Sequence, residues 1–139
     1  MNKKLYKREG RRFVPIGEDL TGQIREVEGT KAICVLQTPT TRYWAAIDDS
    51  NEGMTHYEAA NYVKTQFNGK GMLPERSSLL LLRDKYREKI NARDWYYWTA
   101  DVCESASNYA WILRWSNGYM GNGNRTYNYY VRAFLVEKI

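Results

Sequence analysis

Apolar residues run nearly unbroken through residues 31–37 (KAICVLQ) and 42–47 (RYWAAI). Short apolar runs of this length, rich in β-branched and aromatic side chains, predict buried strands. The polar cluster DDSNEG at 48–53 ends the second run. Upstream, residues 4–16 (KLYKREGRRFVPI) predict two shorter extended pieces broken at Gly10, then a turn at Gly17-Glu18-Asp19.

After residue 53 the period lengthens to that of a helix. Thr55-x-x-Glu58 has the spacing of a capping box, in which hydroxyl and carboxylate satisfy orphan backbone N–H groups. Ala60, Val63 and Phe67 then fall on one face, and Asn68-Gly69 supplies a stop. A second helix is predicted after Leu73-Pro74. Leu79, Leu82, Tyr86 and Ile90 repeat on one side of it, and Arg76, Arg83, Asp84, Lys85, Arg87 and Glu88 solvate the other. That leucine row reads as core.

Beyond Asn91 the period becomes that of a strand. Residues 109–115 (YAWILRW) alternate, so Trp111, Leu113 and Trp115 are expected to face a core while Ile112 and Arg114 face outward. Ser116-Asn117-Gly118 signals a hairpin turn. Tyr119-Met120 begins a return strand, Gly121-Asn122-Gly123-Asn124 is expected to break it, and 127–136 (YNYYVRAFLV) form a last strand. Two helices followed by a run of strands predict an α+β class, two helices packed on small antiparallel sheets.

Composition sharpens the reading of the second half. Residues 95–134 hold four of the five tryptophans and seven of the twelve tyrosines, mixed with Gly and Asn, and no lysine. Amphipathic rings beside small adaptable polar residues compose a recognition surface. Trp98, Trp111 and Trp115 are expected to be scaffold, and Arg132, between apolar neighbours, to anchor buried backbone or a carboxylate. The charge changes the picture less. Of 21 Lys/Arg and 16 Asp/Glu, residues 1–12 carry six and one, leaving fifteen of each in the rest. The net +5 therefore belongs to a basic N-terminal tail, read as a solvated, mobile end, and does not call for a nucleic-acid partner.

Cys34 and Cys103 read as buried free thiols, and with His56 the only histidine no zinc set is expected. No catalytic residue is assigned. His56 lacks a Ser or Cys partner, Asp48-Asp49 and Glu52 read as a solvated turn, and Gly121-x-Gly123 lacks the rest of a phosphate loop. Asn124-Arg125-Thr126 is a formal glycosylation sequon, but no apolar run of signal-peptide length follows Lys3 and Lys4. The expected route is cytoplasmic synthesis, with membrane insertion excluded and display on a virion or cell surface reached non-classically.

The order of motifs resembles a known family. Thr55-x-x-Glu58, Gly71-Met72-Leu73-Pro74, Tyr97-Trp98-Thr99-Ala100, Asn108-Tyr109-Ala110-Trp111, Trp115-Ser116-Asn117-Gly118 and Tyr130-Val131-Arg132 follow, over residues 54–134, the sequence of motifs in the C-terminal domain of collagen-like adhesins. That domain is a branch of the C-type-lectin fold. Gly71-Met72 stands where the family usually has Trp-Arg, and Trp115 replaces its common Phe. The calcium-lectin motifs Glu-Pro-Asn and Trp-Asn-Asp are absent, so calcium-dependent sugar binding is not implied. More narrowly, the chain is similar to the variable proteins of diversity-generating retroelements, whose C-terminal AAY codons are randomised at adenines. Such codons yield Asn, Ser, Thr, Tyr, Ile, Asp, Gly, Arg or Cys but never Glu, Lys, Gln, Met or Trp.

The resemblance implies a C-type-lectin-like fold over 13–139, chain ends close together on neighbouring strands, and a variable binding region at 101–130. Ile112, Arg114, Tyr119, Asn122, Asn124, Arg125, Tyr127, Asn128 and Tyr129 fall in the permitted set and are the expected ligand-binding residues. The function implied is receptor recognition, of a protein or glycan on a cell surface, without metal or cofactor. The rival class is a fixed assembly domain of a phage tail or fibre, whose tyrosines would form a homo-oligomer interface.

Overall fold

The computed structural model describes the backbone of residues 4–9 and 12–139 and the side chains of residues 18–139. Strands β1 (Lys4–Glu9) and β2 (Arg12–Glu18) pair antiparallel as a separate ribbon. These are the two extended pieces expected on either side of Gly10, which itself lies outside the described residues. The limit of the basic tail, set after residue 12, falls within this ribbon. Gly17 and Glu18 continue β2, so the turn comes later, at Thr21-Gly22.

A five-stranded antiparallel sheet follows. It uses β3 (Ile24–Val27), β4 (Thr30–Gln37), β5 (Thr41–Ala46), β6 (Gly71–Met72) and β10 (Phe134–Lys138), in the order β3-β4-β5-β10-β6. Because β1 pairs with β2 and β10 pairs with β5 and β6, the first and last strands are not neighbours, contrary to expectation. Helices α1 (His56–Gln66) and α2 (Arg76–Tyr86) leave this sheet. β7 (Tyr96–Val102), β8 (Tyr109–Arg114) and β9 (Met120–Asn124) form a second antiparallel sheet. The protein is thus α+β.

The larger sheet is buried on both faces, which explains its unbroken apolar runs. Ala32, Cys34, Trp44 and Ala46 enter one cluster with Ala59, Val63 and Phe67 around α1. Ile33, Val35, Ala45 and Ile47 enter another with Leu79 and Leu82 of α2. The capping box forms: the Glu58 N–H donates to Thr55 Oγ1 at 3.2 Å and the Thr55 N–H donates to Glu58 Oε1 at 3.0 Å. The buried face of α1 contains Val63 and Phe67 as expected and differs at one position. Ala59 is buried and Ala60 exposed, because 59, 63 and 67 keep the four-residue spacing of a single face.

The second sheet also contributes to both clusters. Trp98, Ala110 and Ile112 join the first, and Tyr97, Leu113 and Trp115 the second. Two expectations fail here. Gly121–Asn124 does not break the return strand but is most of β9, paired with β8 from Leu113↔Met120 to Tyr109↔Asn124. The last strand begins only at Phe134, since residues 127–133 cross between the sheets through bridges at Tyr129 and Tyr130.

Candidate aromatic recognition face

Strand register decides which side chains share a face. Tyr96 pairs with Arg114 and Trp98 with Ile112, and across β8 Ile112 pairs with Gly121 and Ala110 with Gly123. These positions lie on one side of the second sheet. Trp98 is its fixed floor: fully buried, its indole N–H donates to the Met54 carbonyl at 2.8 Å. The ring of Tyr129 lies edge-on to it, with centroids 4.9 Å apart. Tyr129 also meets Tyr96 at 5.6 Å and Tyr127 at 6.5 Å, and Tyr96 meets Trp95 at 5.2 Å. Two backbone hydrogen bonds with Met54, of 2.8 and 3.0 Å, hold Tyr129 in place.

Two glycines allow these rings to lie against the strand. A Cβ on Gly123 would stand 2.7 Å from Tyr129 Cε2, and one on Gly121 would stand 2.7 Å from Tyr119 Cε1. Two residues along a strand span about 6.7 Å, so Tyr119 and Tyr129 cover successive steps of β9. The result is a bank of rings in which Tyr96 and Tyr129 are half-buried, while Trp95 (46 %), Tyr119 (58 %) and Tyr127 (58 %) are exposed. Burial, followed by the neighbouring Tyr96 and Tyr127, pushes the Tyr129 hydroxyl above the usual phenol range. Such contiguous apolar surface with polar tips is the anatomy of an interaction site.

The expected site residues divide. Arg114, Tyr119, Tyr127 and Tyr129 come together on this face, and Asn128 is exposed in the segment between Tyr127 and Tyr129. Ile112 does not present itself: it is 4 % exposed and packed in the first cluster. Its outward orientation was inferred from alternation, which fails because β8 is the middle strand of a sheet covered on both sides. Asn122 pairs with Trp111 on the opposite side, where its Oδ1 accepts the Cys103 thiol at 3.0 Å. Asn124 turns its side chain to the Thr126 N–H and hydroxyl, at 3.0 and 2.8 Å, so it builds the turn. Trp111, expected in the core, is half-buried and carries the Arg76 guanidinium 4.4 Å from its ring centroid.

Trp95 and Tyr96 belong to the face yet fall outside the expected set. The only sequence signal for them was the aromatic density beginning at residue 95, since their proximity to Tyr129 depends on the crossing of residues 127–133.

Arg125 is occupied internally. Its Nε donates to His56 Nδ1 at 3.0 Å, its Nη1 donates to the Ser107 carbonyl at 3.2 Å, and its guanidinium lies 4.2 Å from the Tyr57 ring centroid. His56 Nε2 lies 2.8 Å from the Thr99 carbonyl, which assigns the single ring proton to Nε2. Burial lowers the His56 pKa, and the Arg125 charge lowers it further against the opposing Thr99 hydrogen bond. The unfolded chain therefore takes up this proton at a higher pH than the folded one. Stability is complete above the ordinary histidine value of 6.5 and falls as pH drops below it. We expect the melting temperature to decline between pH 7.5 and pH 5, and His56→Gln to flatten that slope in thermal melts.

Cys34 and Cys103 are buried free thiols, and burial pushes Cys34 up to about 11. Among the described residues no group of three His, Cys, Asp or Glu side chains is placed to hold a metal ion, and no helix is long and apolar enough to cross a membrane. No protein-family model matches this sequence, and no characterised protein matches it significantly.

Proposed function

We propose that this chain is a ligand-recognition protein, a receptor-binding or adhesin module built on a C-type-lectin-like scaffold and diversified by a retroelement. It would be made in the cytoplasm and carried on a virion or cell surface. The observation that carries the reading is the split among the aromatic residues. Trp98 and Tyr129 form a packed support, while Tyr127 stands exposed against Tyr129, Trp95 against Tyr96 and Tyr119 over Gly121. Exposed rings backed by a rigid floor lose little entropy on contact, which is what an anchor residue requires. The permitted-codon residues Arg114, Tyr119, Tyr127, Asn128 and Tyr129 occupy that face, on or beside scaffold glycines.

The test is a double substitution, Tyr119→Ala with Tyr127→Ala. Since both rings are more than half exposed, the melting temperature should stay within about 2 °C of the parent. Binding, measured by surface plasmon resonance against hits from a glycan array and a random peptide library, should fall at least about tenfold. Unfolding of the double variant, or retention of every hit, would overturn the reading. So would sedimentation of the parent as an oligomer that the same substitutions dissociate. For diversification, the adjoining DNA should carry a reverse transcriptase and a near-copy of the 3′ end differing only at adenines.

A further inference from the structure

Resting on that reading of the aromatic face, the chemistry of one residue on it narrows the partner. Arg114 stands at the hairpin end of the face, cross-strand from Tyr96 and with its backbone N–H donating to the Tyr119 carbonyl at 2.8 Å. Its Nε is inaccessible to solvent and makes no hydrogen bond. The carboxylate paired with it, Asp94 Oδ1, is 3.7 Å away, an ion-pair distance beyond hydrogen-bond reach, and Asp94 is 61 % exposed. Arg125 is held by His56 and Ser107, and Arg93 by a two-pronged pair with Asp49. Arg132, whose Nε is likewise unpaired, is fully buried and gives its terminal nitrogens to backbone carbonyls, out of reach of a ligand. Residues 95–134 contain no lysine. Arg114 is thus a forked donor left with unused capacity among exposed rings.

We propose that the face binds an acidic protein segment, one that sets an Asp or Glu carboxylate on Arg114 and an adjacent apolar or aromatic side chain on Tyr119 and Tyr127. A guanidinium is the donor best matched to a carboxylate, since it offers two parallel N–H groups to two oxygens. The incoming carboxylate takes the terminal Nη1 and Nη2 donors, which make no hydrogen bond among the described residues, while the Nε stays enclosed. A protein segment fits better than a saccharide because the face is open. The clefts of about 620, 560, 450 and 230 Å³ are lined by other residues, whereas small ligands favour concave sites. Asp94 competes for the same guanidinium and so sets the affinity threshold a partner must exceed.

Panning a random linear peptide library on the immobilised full chain tests this. Enriched peptides should carry Asp or Glu beside an aromatic or aliphatic residue. Resynthesis with Asn or Gln in place of the acid should weaken binding about tenfold or more, as loss of a charged hydrogen bond does. Arg114→Gln, whose fold is checked by its melting curve, should abolish that acid-over-amide preference. Asp94→Asn should tighten binding of the acidic peptides a few-fold, and added salt should weaken it. Enrichment without acidic bias, an acid preference that survives Arg114→Gln, or capture of saccharides alone would each overturn the proposal. If such binders are still lost with Tyr119→Ala/Tyr127→Ala, the recognition face itself stands. If they are not, that reading fails as well.

Discussion

Arg132→Ala should cost about 3–5 kcal/mol, enough to lower the melting temperature by on the order of 10 °C or to leave the protein unfolded. Arg132 has no solvent exposure, yet among the described residues no carboxylate pairs with it. Its Nη1 donates to the carbonyls of Ala46 and Ile47, at 3.1 and 2.8 Å, and its Nη2 donates to the Asn91 carbonyl at 2.7 Å. The guanidinium also lies beside the rings of Tyr97 and Trp115, 5.3 and 5.9 Å from their centroids. It therefore ties the end of β5 to the segment leading into β7.

The network continues outward. Tyr97 Oη accepts weakly from Arg132 at 3.4 Å and from the Arg93 N–H at 3.1 Å, and donates to Asp49 at 2.7 Å. Asp49 takes two bonds from the Arg93 guanidinium, at 2.8 and 3.0 Å. Burial alone would raise the Asp49 pKa, but the bonds from Arg93 and Tyr97 hold it below the usual carboxylate range. Removing Arg132 takes a donor from the Ala46, Ile47 and Asn91 carbonyls, of which Ile47 still accepts the Asn91 N–H at 2.9 Å, and leaves a cavity beneath Tyr97. Arg132→Lys should recover less than half of the loss, because an ammonium cannot span three carbonyls from one fixed plane. Urea titration of the parent and both variants measures this. A loss below about 1 kcal/mol for Arg132→Ala would mean that the carbonyls find water instead.

Gly71→Ala should be comparably severe for the opposite reason, too little space. A Cβ at Gly71 would stand 2.2 Å from the Val63 carbonyl oxygen and 2.8 Å from Phe67 Cδ2. The first is helix backbone, so relief requires α1 to move away from β6 as a unit. β6 is held on its other side by β10, through Gly71↔Leu135 and Met72↔Phe134. Overpacking of this kind costs typically 1–3 kcal/mol and more where backbone must shift, so about 3 kcal/mol is expected. Thermal melts check the magnitude. A variant within about 0.5 kcal/mol of the parent would show that α1 is not seated as tightly as this contact implies.

Much of the framework was legible before any coordinates. The capping box at Thr55 and Glu58, the paired apolar runs of β4 and β5 and the leucine row of α2 depend on neighbours within a few residues, and each formed where expected. Trp98 and Trp115 are scaffold and Arg132 anchors buried backbone, as their apolar sequence neighbours imply. Three of the failed expectations share one cause. The local pattern turns Ile112 outward, makes Gly121–Asn124 a break, and groups Asn122 and Asn124 with the tyrosines. In each case alternation or turn propensity along one strand was asked a question whose answer lies in what covers that strand.

Alternation tells which residues share a side but not whether the other side is also buried. β8 has partners on both edges and clusters on both faces, so its period-two pattern carries no inside or outside. The glycines of β9 are likewise ambiguous in one dimension. Their role appears only when the rings of Tyr119 and Tyr129 fold over them.

The local elements, the α+β class and the aromatic character of residues 95–134 follow from caps, periodicity and composition, which act over short distances. Tertiary structure alone decided that Trp95 and Tyr96 join Tyr119, Tyr127 and Tyr129, that Arg125 is bound to His56, and that Arg114 keeps unused donors. The first arises where residues 127–133 cross between two sheets and the others from pairings between separate segments, and such contacts leave no periodic trace in the chain.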